Sequence, residues 1–360
     1  MKESFIQELK ERLATSKKIV ILPHRNADGD ALGSTLALKH FLKQKKHQVK
    51  VVSPNDYPSF LKWLPGESDV LKYNQTPKLA RDSIREADLI FTLDFNTLSR
   101  IEDLTNIVRS ASGEKIMIDH HEDPEDYAKL NYSDHSMSST CEMIYNVIKA
   151  LDEHGFNKEI ANCLYTGIMT DTGSFRYPST TSKTHNIIAH LIELGANGTE
   201  IHQKIYDSSS YSRLKLLGLT LSNLIKIPKL PVVFMTLTQS ELDSCDYNKG
   251  DTEGFVNYGL TLNGVIFSCI MIENESEGKI KMSFRSQGIF SVNDFARNYF
   301  NGGGHHNAAG GMSMDNMRNT VENFVKAVQE VSFQFLSLIH ISEPTRPERI
   351  ADGGVGVEKK

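Results

Sequence analysis

The sequence lacks the features that mark disulfide-rich, zinc-thiolate and membrane proteins. Its four cysteines (Cys141, Cys163, Cys245 and Cys269) are widely separated, and no Cys-x-x-Cys pair occurs. A disulfide framework or a thiolate zinc site is therefore not expected, and a reducing cytoplasm fits best. No apolar run is long enough to span a membrane, and the charged N-terminal segment does not resemble a typical signal peptide.

A surplus of basic residues is also missing. The 360 residues include 40 Lys and Arg against 45 Asp and Glu, which gives a formal net charge of −5. Proteins that grip long nucleic acids through many phosphates usually carry a basic surplus. The composition therefore argues against a long nucleic acid as ligand, and it is compatible with a small anion held by a few local charges.

Strand and helix patterns alternate in the first half of the chain. Apolar, β-branched runs predict strands at 17–22, 47–53, 88–94 and 114–119. Periodic apolar positions predict helices at 30–46, 80–86 and 99–109. This alternation is typical of a mostly parallel sheet with helices on both faces.

The pattern changes in the second half. Helical periodicity dominates from about 138 to 226, and strand-like runs follow at 230–238, 264–273 and 278–286. We therefore predict an α/β protein in which a helical linker joins the N-terminal parallel-sheet domain to a smaller α/β domain. The predicted boundaries are 1–195, 196–229 and 230–335, and 336–360 is set aside as a non-native or disordered tail because it has no periodicity.

Acidic residues and histidines occur where the predicted strands end. The first strand is followed by His24, Asp28 and Asp30, and later strands end in Asp94 and in Asp119-His120-His121; Asp171 follows a helical segment. Any one of these could be an ordinary cap or turn residue. Because ligand crevices lie at the carboxyl ends of parallel strands, their joint placement predicts that they converge.

The chemistry of these groups indicates a metal site. Carboxylates and imidazoles without thiolates suit Mn²⁺ or Mg²⁺ better than structural zinc. The number of groups exceeds what one ion needs, and an aspartate shared between two ions would account for the surplus. Two ions roughly 3.5–4 Å apart can generate hydroxide and stabilise both ends of a phosphoryl displacement.

These motifs resemble the DHH phosphoesterase family. Its four signature motifs are matched in order by His24-x-x-x-Asp28-x-Asp30, Asp94, Asp119-His120-His121 and Asp171. Downstream, the segment "NGGGHHNAAGG" (301–311) resembles the glycine-rich motif of the DHH-associated C-terminal domain. The resemblance covers most of residues 15 to 330, and it is greatest to bacterial oligoribonucleases that are also 3′-phosphoadenosine-5′-phosphate (pAp) phosphatases.

The resemblance implies a role for each residue. The ligands of the first ion would be His24 and Asp28, those of the second Asp30, His120 and Asp171, and Asp94 would bridge both. As catalytic residues, Asp119 would orient His120, and His121 would face the substrate phosphate. In the C-terminal domain the substrate would be bound by Arg285, Gly303, Gly304 and His305, with glycine amides presented to a phosphate.

The expected function is a cytoplasmic hydrolase with two Mn²⁺ ions, or Mg²⁺ in their place. It would degrade very short RNA to mononucleotides and convert pAp to AMP, with no long nucleic acid and no membrane as partner. A phosphodiesterase for linear or cyclic dinucleotides (pApA or c-di-AMP) is the main alternative, and a homodimer is compatible with the sequence. Inorganic pyrophosphatase, a single-strand exonuclease and a non-catalytic binding protein are the weaker alternatives.

Overall fold

The computed structural model describes residues 3–207 and 209–335, so the predicted tail at 336–360 lies outside the described residues. The chain divides into two compact units. Unit 1 extends to Leu214 and includes Asn248–Asp251, and unit 2 comprises Lys215–Tyr247 and the residues from Thr252 onward. The division at Leu214 falls inside the predicted helical linker.

Unit 1 is built on a parallel sheet. Its strands are β1 (Lys18–Leu22), β2 (Gln48–Ser53), β3 (Leu71–Lys72), β4 (Leu89–Leu93), β5 (Glu114–Asp119) and β6 (Leu130–Ser133). They lie in the order β3-β2-β1-β4-β5-β6, and each neighbouring pair is parallel. The predicted sheet is confirmed, whereas β3 and β6 were not predicted because two to four residues give too short a pattern.

Helices cover both faces of this sheet, as predicted. The helices of unit 1 are α1 (Glu3–Arg12), α2 (Gly29–Gln44), α3 (Pro77–Arg85), α4 (Thr105–Ser110), α5 (Thr140–Leu151), α6 (Lys158–Asp171), α7 (Ser182–Glu193) and α8 (Gly198–Tyr206). The next helix, α9 (Tyr211–Ser222), begins in unit 1 and continues into unit 2, where Leu216 is part of a core cluster. Alternate residues of β1 enter different cores. Ile19 and Ile21 pack with α2, α5 and α6, whereas Val20 and Leu22 pack with α3 and α4.

Two glycines allow α2, α5 and α6 to pack unusually closely. A Cβ atom on Gly33 would lie 2.6 Å from the carbonyl oxygen of Cys163, and one on Gly167 would lie 2.2 Å from Sγ of Cys141. Neither distance is tolerable for real atoms, so a side chain at either position would force the helices apart. This close packing brings the end of α6 to the beginning of α2, where two predicted ligands lie.

Unit 2 is a smaller mixed sheet with helices. Its strands are β7 (Ile225–Lys226), β8 (Val232–Leu237), β9 (Phe267–Asn274), β10 (Lys279–Ser286), β11 (Gly303–His305) and β12 (Ala308–Ser313), and its further helices are α10 (Gln239–Ser244), α11 (Val292–Tyr299) and α12 (Met317–Glu330). The order is β11-β12-β10-β9-β8-β7, with a parallel pair at β8–β9 and antiparallel pairs elsewhere. The predicted α/β class is confirmed.

Buried apolar residues form the cores of both units. All four cysteines are buried free thiols, two in each unit, and they serve as small core residues. A cluster of phenylalanines, including Phe267, Phe284 and Phe324, fills the core of unit 2. Among the described residues, no helix combines the length and apolar composition needed to cross a membrane.

Candidate metal centre

The strand order of the unit 1 sheet reverses between β1 and β4. In open parallel sheets, the crevice at the carboxyl ends of the strands at this switch point is the usual ligand site. Leu22 pairs with Thr92, and the chain leaves each strand to reach His24 and Asp94 two residues later. The Nε2 atom of His24 consequently lies 3.5 Å from Oδ2 of Asp94. The sheet topology therefore joins two motifs that are 70 residues apart.

His24, Asp28 and Asp94 form a first group of ligand atoms, which lie within 4.8 Å of one another. Asp28 caps α2: its Oδ1 accepts hydrogen bonds from the amides of Asp30 and Ala31, both at 3.0 Å. Its Oδ2 lies 4.0 Å from Nε2 of His24. The capping hydrogen bonds thus fix the Asp28 carboxylate with one oxygen toward the group.

The His24 ring is held by the backbone and by charge. Its Nδ1 lies 2.8 Å from the carbonyl oxygen of Arg25, which leaves Nε2 toward the carboxylates. Burial alone would lower the pKa of His24, but the hydrogen bond with Asp94 and the charge of Asp28 outweigh it and raise the pKa, against the opposing charge of Arg100. Arg100 was not predicted from the sequence as a neighbour of this group.

Asp30, His120 and Asp171 form a second group within the same 4.8 Å limit. The Nε2 atom of His120 lies 3.5 Å from Oδ2 of Asp171 and 3.9 Å from Oδ2 of Asp30. On the other side of the ring, Nδ1 lies 3.2 Å from the carbonyl oxygen of Met137. The six predicted ligands of unit 1 therefore converge in two neighbouring groups.

Asp94 lies between the two groups. Its side chain is 2% exposed, and its backbone has a φ of 65°, a strained conformation for a residue other than glycine. Oδ2 faces His24, and Oδ1 lies 3.5 Å from Nε2 of His120. Burial would raise the pKa of Asp94, but the hydrogen bonds with His120 and His24 lower it well below its usual range. This is the position that a bridging ligand requires.

The electrostatics of the cluster favour a bound cation. Burial, together with the negative charges of Asp94 and Asp171, raises the pKa of Asp30 well above its usual range. The pKa of His120 is also raised, because the charges of Asp171 and Asp94 outweigh its burial. Several carboxylates buried together are costly without a neutralising charge, and divalent cations supply it. The oxygen and imidazole donors fit hard or borderline divalent ions.

Thr140 is a contact of the cluster that the sequence did not reveal. The backbone amides of Thr140 and Cys141 donate to Oδ2 and Oδ1 of Asp30 at 2.7 and 2.8 Å. The Thr140 hydroxyl donates to Oδ1 of Asp94 at 3.0 Å. The sequence predicted a helix here, but no local pattern indicates that its first turn lies against residues 110 and 46 positions earlier.

Asp119 hydrogen-bonds His121, the residue after the histidine that it was predicted to orient. Its Oδ1 lies 2.7 Å from Nδ1 of His121, and its Oδ2 accepts the His121 amide at 2.8 Å. Since Nδ1 of His120 lies near the Met137 carbonyl oxygen, the orientation of His120 by Asp119 stays a prediction, and the hydrogen bonds of Asp119 in the structure are with His121. The reason is local geometry: Asp119 ends β5, and the chain turns at once so that His121 returns to the Asp119 carboxylate.

Two of the predicted substrate residues of unit 2, Arg285 and His305, lie in one row of its sheet. Ala308 of β12 pairs with Arg285 of β10 on one side and with His305 of β11 on the other. Directly paired residues point to the same face, so Arg285 and His305 lie on one face, roughly 10 Å apart along the row. The Nη1 atom of Arg285 also donates to the Phe284 carbonyl at 2.9 Å.

The amides of two motif glycines donate to acceptors within unit 2. The Gly304 amide donates to Oδ1 of Asn293 at 2.9 Å, and the Gly302 amide donates to the Ala296 carbonyl at 3.1 Å. The presentation of the Gly303 and Gly304 amides to a phosphate stays a prediction. The glycines also permit close strand packing, because a Cβ atom on Gly302 would lie 1.9 Å from the carbonyl oxygen of Gly310. Gly303 pairs with Gly310 in the ladder.

Comparisons with known proteins cover both units. Residues 18–168 match the family model described as the DHH family, N-terminal domain, and residues 231–332 match the DHHA1 domain. The bifunctional oligoribonuclease and PAP phosphatase NrnA of Bacillus subtilis is 29% identical over 309 residues, covering 84% of this chain and 91% of that protein.

Two further proteins are similar over nearly the same span. The probable bifunctional oligoribonuclease and PAP phosphatase NrnA of Streptococcus mutans is 31% identical over 298 residues, covering 82% of this chain and 89% of that protein. The crystal structure of an exopolyphosphatase-related protein from Bacteroides fragilis has 40% identity and a TM-score of 0.90. It covers 93% of this chain and 98% of that one.

Proposed function

The chain belongs to the DHH family and is a phosphoester hydrolase, and from this premise we propose that it degrades very short oligoribonucleotides and dephosphorylates pAp to AMP. The observation that carries the proposal is the coincidence of two features. Relatives named for these two activities match both units over more than four fifths of the chain. In this chain, the carboxylate and imidazole groups expected of a two-metal phosphoesterase converge around Asp94.

The proposal includes two divalent cations, Mn²⁺ or alternatively Mg²⁺. The first would be held by His24 and Asp28, the second by Asp30, His120 and Asp171, and Asp94 would be shared. When bound, two such ions supply an activated water and offset negative charge on the phosphoryl group. The two oxygens of Asp94, which face different imidazoles, support the shared role.

His121 and Asp119 would act on the substrate rather than on an ion. The Asp119 carboxylate beside Nδ1 keeps the ring in one orientation, with Nε2 directed away from Asp119. In that orientation, when the ring carries a proton on both nitrogens, Nε2 can donate a hydrogen bond to a phosphate oxygen, and this stabilises charge as it develops. Asp119 is thus proposed as a positioning residue for His121.

Unit 2 would recognise the nucleotide. An arginine and a histidine on one sheet face can hold a phosphate, because the guanidinium fork gives two charge-assisted hydrogen bonds. This division of tasks supports small substrates, and the net charge of −5 gives no support for a long nucleic acid. The buried free thiols fit a cytoplasmic location, which is part of the proposal.

One assay tests the proposed substrates. Purified protein with Mn²⁺ would be offered pAp, pApA, a five-nucleotide RNA, a 24-nucleotide RNA, pyrophosphate and inorganic polyphosphate at equal concentration. We expect pAp and the five-nucleotide RNA to be hydrolysed fastest, and EDTA to abolish both rates. Preferred hydrolysis of pApA would favour the dinucleotide phosphodiesterase, and preferred hydrolysis of pyrophosphate or polyphosphate would overturn the proposal.

A further inference from the structure

Thr140 contacts two carboxylates of the candidate metal centre. It is the first residue of α5, and its side chain is fully buried. Its amide donates to Oδ2 of Asp30 at 2.7 Å, and its hydroxyl donates to Oδ1 of Asp94 at 3.0 Å. One residue therefore restrains two acidic side chains that come from different motifs.

These contacts fall on one side of the centre. Of the two Asp94 oxygens, Oδ1 is the one near Nε2 of His120, at 3.5 Å, whereas Oδ2 faces His24. The Asp30 oxygen that accepts from Thr140 is also the one 3.9 Å from Nε2 of His120. The amide and hydroxyl of Thr140 therefore donate to oxygens that face the second group. These two hydrogen bonds do not involve Oδ2 of Asp94, which faces the first group.

The Thr140 hydroxyl is not needed to begin the helix. Ser139 is the N-cap of α5, and its hydroxyl accepts the amide of Glu142 at 3.0 Å. In a capping role, the hydroxyl oxygen of Thr140 would accept a hydrogen bond from a backbone amide in the first turn of the helix. In Thr140 the hydroxyl instead donates to a buried carboxylate, which is the usual relation between a metal ligand and the residue that orients it.

We propose that Thr140 is a positioning residue that sets the affinity of the Asp30–His120–Asp171 group for its ion. The inference rests on the proposed two-metal function. Its hydroxyl holds Oδ1 of Asp94 on the His120 side before an ion binds, whereas Oδ2 is held separately by its contact with His24. A ligand that is already aimed loses less conformational freedom on binding, which raises the affinity.

The test is the affinity of the metal-free protein for Mn²⁺, measured by calorimetry and equilibrium dialysis. Thr140→Val keeps the shape and the amide and removes the hydroxyl. We expect Thr140→Val to lower the affinity for one of the two bound ions by about 10–100-fold. The affinity for the other ion should stay within about threefold of that of the original protein. Thr140→Ser restores the hydroxyl and should recover most of the lost affinity.

A matched control separates positioning from a general loss of stability. Thr35 is also fully buried, and its hydroxyl donates to the Leu32 carbonyl within α2 at 2.9 Å. Thr35→Val should therefore leave both ions bound with unchanged affinity. Melting temperatures in EDTA report folding independently of the ions, and Thr140→Ala serves as a second variant if Thr140→Val fails to fold.

Two backgrounds identify the affected ion. In the His24→Ala variant the remaining ion is held on the His120 side. Adding Thr140→Val to this variant should lower the affinity for that ion by about 10–100-fold. With His120→Ala, the remaining ion is held on the His24 side, and Thr140→Val should leave it unchanged.

Equal loss in both backgrounds, or no loss in either, would overturn the inference about Thr140. If the original protein binds fewer than two ions, the proposed two-metal function fails first, and that failure is seen before any variant is made.

Discussion

The two units of this protein place their candidate site residues by different physical means. In unit 1, side chains are buried at the ends of parallel strands, and a carboxylate such as Asp94 is 2% exposed. In unit 2, Arg285 and His305 occupy one row of the antiparallel strands β10, β12 and β11, and both are only half-buried. The first arrangement concentrates charge in a place where water cannot screen it, and the second leaves charge partly hydrated.

The difference predicts which substitutions affect chemistry and which affect recognition. A buried carboxylate interacts strongly with its neighbours and with any ion, so its loss should change metal content and turnover on every substrate. A half-buried arginine adds a local contact with an anion, so its loss should depend on the substrate. Experiments on both units can therefore break or sharpen this comparison.

The largest effect is expected at Asp94. Asp94→Asn keeps the size of the side chain and removes the negative charge that lies between His24 and His120. Loss of a residue that only contacts a metal ligand lowers metal affinity or activity by about 10–100-fold. Loss of a ligand shared by both ions should therefore lower kcat by about 10³-fold or more. Turnover and bound Mn²⁺ per chain are the measurements, and full activity with two ions bound would show that Asp94 is not shared.

The next largest effect is expected at Asp119. Asp119→Asn removes the carboxylate beside Nδ1 of His121, so the ring loses its fixed orientation. Positioned proton donors and acceptors raise the reaction rate by about 10²–10⁴-fold. We therefore expect kcat to fall by about 10²-fold, with unchanged metal content. Asp126→Asn, at an exposed position in the following loop, is the control. A loss of metal in Asp119→Asn would instead indicate that Asp119 is a ligand.

A smaller, substrate-dependent effect is expected at Arg285. Arg285→Ala removes a charge-assisted contact worth about 1.5–3 kcal/mol, which lowers kcat/KM for pAp and short RNA by about 10–100-fold. Metal content should stay unchanged. Lys281→Ala, on the same strand but paired with Glu277 at 2.8 Å, should leave kcat/KM unchanged.

His305 provides the internal check on that prediction. His305→Ala should impair hydrolysis of pAp more than that of bis-p-nitrophenyl phosphate, which has no nucleotide to be recognised. Equal losses on both compounds would place His305 in the chemical step, and the assignment of recognition to unit 2 would then fail.

The smallest effect is expected at a surface ion pair. Lys279 and Lys281 donate to Glu277 at 2.6 and 2.8 Å and lower the pKa of this carboxyl to about 2. A depressed folded-state pKa stabilises the fold above the unfolded value of about 4.5, and this stabilisation is lost as the pH falls toward 2. The Glu277 side chain is 45% exposed, so solvent screening reduces the contribution to less than about 0.5 kcal/mol.

The measurement is the free energy of unfolding in EDTA between pH 6 and pH 2.5, compared with Glu277→Gln. The two curves should differ by less than about 0.5 kcal/mol above pH 4.5 and converge below it. A difference of several kcal/mol would show that a half-exposed carboxylate in unit 2 is as strongly coupled as the buried carboxylates of unit 1.

Much of the architecture was predictable because it is encoded locally. The predicted strands of unit 1 are short apolar runs, such as the β-branched run at 17–22, and the intervening helices have an apolar period. The position of His24 and Asp94 at strand ends followed from the same patterns. Their convergence was predictable as well, since carboxyl ends of parallel strands meet at one edge.

The contacts made by single atoms were not predictable. Whether Asp119 meets His120 or His121 depends on how the chain turns after β5, and one residue of difference changes the partner. Similarly, the amide of Gly304 is taken by Asn293 of α11, which no spacing in the glycine-rich motif indicates.

The alternation of strands and helices, the candidate ligands and the two-part organisation were therefore predicted from the sequence, because short-range periodicity and chain topology indicate them. The tertiary structure alone decides that Thr140 reaches Asp94 and Asp30. That contact depends on the close packing of α2, α5 and α6, which Gly33 and Gly167 permit, and on side-chain directions that only the assembled core determines.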